Sequence, residues 1–323
     1  MRTRIAPALC IAMALAAVSS VYGQDPEAVK ALDKMAAEYY LPTVRAVFGT
    51  FTFEYSGLPT PFSRWAEDRL LLAAAGASRL KVLNRNAAAA LDPVLKESYG
   101  AFLRETGAEA SLSGRFFLEG DKVRVTLLLT ELSSGTLIGA ADWNLPVSSV
   151  PGYASVKPAP AAVDRASELA RLSSTAPGGL AVSVSTGRGV GAAYRAGEKL
   201  TVIVGVNKGA WVRVYHVDGS DRIQLIWPNR FGGGDGKVRP GAPILLPPDA
   251  YAPYSFLMEP PYGTEFIKAV ASSTPFEDEE QDFSDLGTSA SRVMTRGLAV
   301  VGPGSSSGKL EVAEALASYY IGP

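Results

Sequence analysis

The chain has 323 residues, 47% apolar and 20% charged, and its 31 basic and 32 acidic side chains give a formal charge of −1. That length favours two domains, and the composition excludes wholesale disorder, a fibrous repeat and a polytopic membrane protein. There is no cationic excess to drive nucleic-acid binding, and a single Cys and a single His leave few routes to catalysis or metal binding.

Met1 to Arg4 is short and basic, and Ile5 to Val18 is almost wholly apolar before the chain turns polar. This is the layout of a secretory signal peptide over residues 1–23, with Val21-Tyr22-Gly23 at the cleavage point and an apolar run too short to span a membrane comfortably. Cys10 lies inside the apolar run, and Leu9 stands where a lipobox needs a small residue, so lipidation is rejected. The mature chain is expected to be periplasmic or secreted, thiol-free, mildly acidic after loss of Arg2 and Arg4, and without a transmembrane segment.

Val29, Leu32, Met35 and Tyr39 form a helical stripe after Asp25, a predicted N-cap, with Pro26 at the first helical position. Val44 to Tyr55 is dense in β-branched and aromatic residues and reads as a strand. Phe62, Ala66, Leu70, Ala73 and Ala77 recur at helical spacing, with Glu67 and Asp68 placed to favour the helix dipole. Arg79 to Asn84 reads as a short strand, and Asn86 to Glu109 is helical in composition. Ala110 to Leu118, Lys122 to Leu132 and Thr136 to Leu145 read as a meander with turns at Gly120 and Gly135. A mixed sheet with helices on one face would bury residues 24–146. Residues 147–178 are rich in Pro, Ser and Ala and read as a linker with one helical turn within Ala161 to Leu172.

Residues 179–323 change character. Leu180 to Ser185, Lys199 to Val206, Ala210 to Val217, Ile223 to Trp227, Phe266 to Ala271 and Leu298 to Val301 are predicted short strands. Turn residues recur every ten positions or so, as in a sandwich or barrel. The predicted fold class is therefore α+β: a mixed α/β domain with a meander, then a β-sandwich-like domain.

The chemical motifs mostly fail. His216 lies mid-strand, on one face with Val212 and Val214, and reads as a packed or hydrogen-bonded sheet histidine. Gly304 to Gly308 matches the nucleophile pattern G-x-S-x-G, but no His follows it, and Pro303 and Leu310 spoil a P-loop reading of the same segment. The acidic run Glu277 to Asp285 lacks the spacing and turn glycine of a preformed calcium loop and reads as a solvated loop. No catalytic residue, metal site or cofactor is expected. Trp211, Tyr215, Trp227, Tyr251, Tyr254 and Tyr262 could form a binding face, although core packing is the expected use of most of them. The candidate ligand-binding residues are Trp227, Asn229, Arg230 and Glu265.

Tyr194-Arg195-Ala196-Gly197-Glu198, Trp227-Pro228-Asn229, Leu246-Pro247 and Pro261-Tyr262-Gly263-Thr264-Glu265 together resemble the bacterial domain of unknown function 4384 over most of residues 179–323. That resemblance implies a β-rich envelope or signalling module and carries over no catalytic residue. Ser63 to Leu72, Lys81 to Arg85, Leu112 to Phe116 and Leu127 to Gly139 resemble, more loosely, the amino-terminal α/β module of TolB and of curli-assembly and flagellar outer-membrane lipoproteins. Such relatives imply assembly with envelope partners. The preferred reading is an exported, non-enzymatic binding or assembly protein whose partners are envelope proteins or peptidoglycan. A carbohydrate- or peptidoglycan-binding sandwich and a glycoside hydrolase using carboxylates alone remain alternatives.

Overall fold

The computed structural model describes residues 25–37, 39–40, 42–83, 106–170, 179–231, 234–249, 251–276, 282–283 and 311–323. The signal segment, most of the helical stretch after Asn84, the strand expected at Leu298 to Val301 and the Ser-Gly loop lie outside these residues.

In the first half, α1 (Pro26–Ala36), β1 (Val44–Phe53), α2 (Pro61–Ala74), β2 (Leu80–Leu83), β3 (Ala110–Glu119), β4 (Lys122–Glu131) and β5 (Leu137–Pro146) follow in order. Asp25 caps α1 by accepting from the Glu27 and Ala28 amides at 3.1 and 3.2 Å. Thr60 and Ser63 cap α2 reciprocally, the Phe62 amide donating to Thr60 Oγ1 and the Thr60 amide to Ser63 Oγ. The sheet order is β2-β1-β3-β4-β5, with β1 parallel to both neighbours and the meander antiparallel. Leu32 and Met35 of α1, Phe62 and Leu70 of α2 and Phe51, Phe116, Leu127 and Trp143 of the sheet share one core. Trp143 Nε1 donates to Asp25 Oδ2 at 3.1 Å, fastening α1 over β5. The two approach so closely that a Cβ on Gly139 would sit 2.1 Å from the Met35 carbonyl oxygen.

The segment expected as a linker is more structured than its composition implies. It holds the 11-residue helix α3 (Pro160–Ala170), with Ala162, Arg165 and Leu169 buried. Arg165 pairs with Asp221, and Leu169 presents its carbonyl to Lys268.

The second half comprises β6 (Val182–Thr186), β7 (Ala192–Arg195), β8 (Lys199–Leu200), β9 (Val202–Val206), β10 (Ala210–Val217), β11 (Ile223–Trp227), β12 (Lys237–Val238), β13 (Ile244–Leu246), β14 (Phe256–Leu257), β15 (Gly263–Ser272) and β16 (Val312–Gly322). A large sheet runs β11-β10-β15-β16-β7 with β12 beside β10, a smaller one runs β13-β9-β6, and β14 pairs with β8. Val202 and Val204 of the small sheet meet Val212, Val214, Ile267 and Ala317 of the large one in a sandwich core. The other face of the large sheet is also covered: Tyr215, Val217, Phe266 and Val270 pack under Ala162 and Leu169 of α3 and against Leu58 of the first half. This second burial explains why β10 and β15 read as near-continuous apolar runs and do not alternate.

β16 is the longest strand for which the sequence reading offers no element. Its Ala-Glu-Ala-Leu-Ala composition favours helix, yet it pairs antiparallel with β15 over ten positions and parallel with β7. The small side chains of Ala313 and Ala317 let the sheets close over it, so tertiary burial overrides local propensity.

The halves meet along α2. Glu67 and Asp68, expected to serve the helix dipole, lie past the first turn and face this seam. Arg64 donates to Glu67 at 3.1 Å and Asp68 at 3.0 Å, while Asp68 also accepts from Arg195 at 2.7 Å. Thr264 Oγ1 donates to the Pro59 carbonyl at 3.2 Å.

Candidate ligand-binding cleft

Strand pairing assembles the most chemically organised group in the described residues. In the β15–β16 pair Glu265 stands directly opposite Tyr319, and in the β10–β15 pair His216 stands opposite Ile267, two residues beyond Glu265. Opposite and two-residue diagonal positions share a sheet face, so the three side chains converge where the sandwich core ends. Tyr319 OH donates to Glu265 Oε2 at 2.7 Å. His216 Nε2 lies 2.8 Å from that oxygen and 2.9 Å from the Tyr319 oxygen.

With Glu265 as a carboxylate, these distances leave one arrangement of the protons. A carboxylate accepts only, and the one phenolic proton already points at Glu265. Nε2 of His216 therefore carries hydrogen and donates, leaving the Nδ1 lone pair as the ring's other function when the imidazole is neutral. Burial, reinforced by the charge and hydrogen bond of Glu265, pushes the Tyr319 hydroxyl well above its ordinary range. Tyr319 stays a phenol and a donor. Its ring lies nearly parallel to His216 and is met edge-on by Tyr194, which in turn carries the Arg188 guanidinium 4.5 Å above its face.

The trio lies in the wall of a cleft of about 280 Å³ between the ends of β10, β15 and β16 and the loop 255–261. Apolar walls come from Leu200, Ile226, Phe256, Leu257, Ile267 and Ile321. Asp218 and Arg222 also line it, but they serve their own turn: Asp218 accepts from the Ser220 and Arg222 amides and from Arg222 Nε at 2.7 Å. Burial opposes ionisation of Asp218, yet those backbone and guanidinium bonds outweigh it and hold the carboxyl below its usual range. A larger, open depression lies along Pro26, Val29, Lys30, Asp33, Lys34 and Ala37 on the outer side of α1. It brings together residues of one helix and its C-terminal end and no comparable polar constellation.

Of the four residues singled out from sequence, Glu265 is in the cleft and the other three are beside it. Trp227 is a core residue, 6% exposed, packed in the sandwich. Asn229 ties its turn, donating to the Ile226 carbonyl at 2.9 Å and accepting from the Phe231 amide at 3.0 Å. Arg230 grips Asp282 through its backbone amide and its guanidinium. That grip places Phe283, whose amide donates to the Leu225 carbonyl and whose ring lines the cleft. Arg230 itself is not part of the lining; it holds Asp282, the residue before Phe283. Glu277 to Gln281 lie outside the described residues, so the calcium reading of the acidic run meets the structure only at Asp282. Among the described residues no group of three or more His, Cys, Asp or Glu side chains is placed to hold a metal, and no helix is long and apolar enough to cross a membrane.

The expected aromatic face is divided: Tyr215 and Trp227 are buried, whereas Tyr251 and Tyr262 are exposed on loops. Tyr319 escaped the sequence reading altogether. The signal was present as period-two spacing of Ala313, Ala315, Ala317, Tyr319 and Ile321, hidden because alanine is a weak marker of a buried strand.

Residues 193–275 match the family model described as Domain of unknown function (DUF4384), a narrower span than the motif resemblance. The chain is similar to the LpoB C-terminal domain from Salmonella enterica at 14% identity, covering 36% of this chain and 94% of that one with a TM-score of 0.27. A PelC dodecamer subunit from Paraburkholderia phytofirmans is 21% identical over 36% of this chain and 78% of its own, TM-score 0.21. TolB from Acinetobacter baumannii is 11% identical over 70% of this chain and 57% of its own, TM-score 0.20. Likenesses this distant do not assign a function. Comparison with curated proteins gives no match.

Proposed function

We propose that this chain is an exported, non-catalytic binding protein of the bacterial cell envelope, which docks a protein partner at the sandwich cleft. The observation that carries the reading is that Tyr319, His216 and Asp218 of the cleft are spent on hydrogen bonds within the fold, among aliphatic and aromatic walls. Leu257 is 50% exposed on the cleft wall, and Tyr262, 45% exposed, follows the cleft loop. A carboxylate-only hydrolase needs two free carboxyl groups facing a substrate. Of the three carboxylates that line the cleft, Asp218 is committed to its turn and Glu265 is held through one oxygen by Tyr319 and His216, which leaves Glu259 alone outside these bonds. The basic-then-apolar opening of the chain supports export.

The test is capture from detergent-solubilised envelope by the mature chain. The expected result is recovery of one envelope protein, displaced by excess soluble mature chain. Recovery of the bait alone, or co-sedimentation with purified peptidoglycan free of protein, would overturn protein docking.

A further inference from the structure

Glu265 is bound on one side only. Tyr319 OH and His216 Nε2 both converge on Oε2, and Oε1 has no partner among the described residues. The residue is 3% exposed, and its carboxylate belongs to the cleft lining. Among the described residues its one salt-bridge contact is His216, whose Nε2 reaches Oε2 and not Oε1. The arginine in the cleft, Arg222, donates from Nε to Asp218 at 2.7 Å, and no hydrogen bond joins it to Glu265 among the described residues. Glu259 adds a second carboxylate to the lining. The cleft lining therefore combines aliphatic and aromatic side chains with the carboxylates of Glu265 and Glu259.

Resting on the docking reading, we propose that this cleft receives the side chain of a lysine or arginine projecting from the partner protein. Such a side chain is an apolar stem with a cationic head, and long basic side chains lay their methylenes along apolar surface while the charge finds a polar partner. Leu200, Ile226, Leu257 and Ile321 line the stem, and Glu265 Oε1 accepts from the head. A cation meeting a carboxylate makes the stronger, charge-assisted kind of hydrogen bond. The two donors on Oε2 fix the carboxylate's orientation before the partner arrives, so little ordering is needed on binding. About 280 Å³ suits a side chain better than a folded segment.

His216 is the only histidine in the chain, so its ring resonances report on this cleft alone. Untagged mature protein is titrated with acetyl-Ala-Lys-Ala-amide and with the same peptide carrying norleucine, which keeps the stem and drops the charge. The expected result is a saturable shift of the His216 ring signals by the lysine peptide, with the norleucine peptide at least tenfold weaker. Equal binding of the two, or no shift with the lysine peptide, would overturn the assignment. Tighter binding of 1,5-diaminopentane than of the lysine peptide would also overturn it, in favour of a free polyamine. The wild-type titration does not depend on any variant folding. Glu265→Gln, examined only if its urea unfolding stays cooperative, is expected to lose the lysine preference. In the capture experiment, undiminished recovery of the partner by that variant would sink the basic anchor and leave docking standing. No recovery by wild type would sink docking itself.

Discussion

Glu67 offers a quantitative test of the seam between the halves. Its carboxyl is buried at the α2 surface that faces the sandwich, and burial first of all raises its pKa to about 7 from an ordinary 4.5. Arg64 and Arg188 pull it down, and Asp68 and Glu198 push it up, without cancelling the cost of burial. A carboxyl whose folded pKa is raised keeps its proton after the unfolded chain has lost it. Its contribution to stability is therefore complete below about pH 4.5 and is lost as pH climbs to about 7. One pKa unit corresponds to about 1.4 kcal/mol, so the loss across that window is about 3 kcal/mol. Glu67→Gln cannot titrate and still offers Arg64 an acceptor. Urea unfolding of both proteins at pH 4, 5, 6, 7 and 8 isolates this group, because every other titration is shared. The stability difference is expected to move by about 3 kcal/mol in favour of the variant between pH 4 and pH 8. A difference that stays flat with pH would refute the burial of Glu67 at the seam.

Two further substitutions probe the packing. Gly139→Ala places a methyl against the Met35 carbonyl and is expected to cost about 1 to 3 kcal/mol by forcing α1 away from β5, seen as a lower urea midpoint. Lys268, 0% exposed, lies 2.8 Å from Glu314 and 3.4 Å from the Leu169 carbonyl of α3. Lys268→Met is expected to cost about 3 to 5 kcal/mol because it strands a buried carboxylate, and adding Glu314→Leu is expected to recover most of that loss. A double variant no more stable than the single one would contradict the pairing.

Much of the architecture was legible because its signals are local. The Asp25 cap, the Pro26 start, the meander turns at Gly120 and Gly135 and the strands flanking them follow from residue chemistry within a few positions. The cleft was less legible because its parts are about 50 to 100 residues apart in sequence and meet only through strand pairing. Glu265 surfaced because a Pro-x-Gly-x-Glu motif marked it. His216 read as a hydrogen-bonded sheet residue, which its contacts with Glu265 and Tyr319 match, although nothing nearby in sequence names those partners. β16 was lost to alanine-rich composition, and Tyr319 with it. Helix α3 looked like linker because short Ala- and Ser-containing helices resemble loops until something covers them. Here the cover is the outer face of the large sheet.

The most direct test of the central claim is photo-crosslinking in the native bacterium, with the reactive residue at position 257 on the cleft wall or at position 122 on the far meander. A discrete adduct with one envelope protein is expected from position 257 and none from position 122. Adducts from neither position, or equal adducts from both, would contradict that claim.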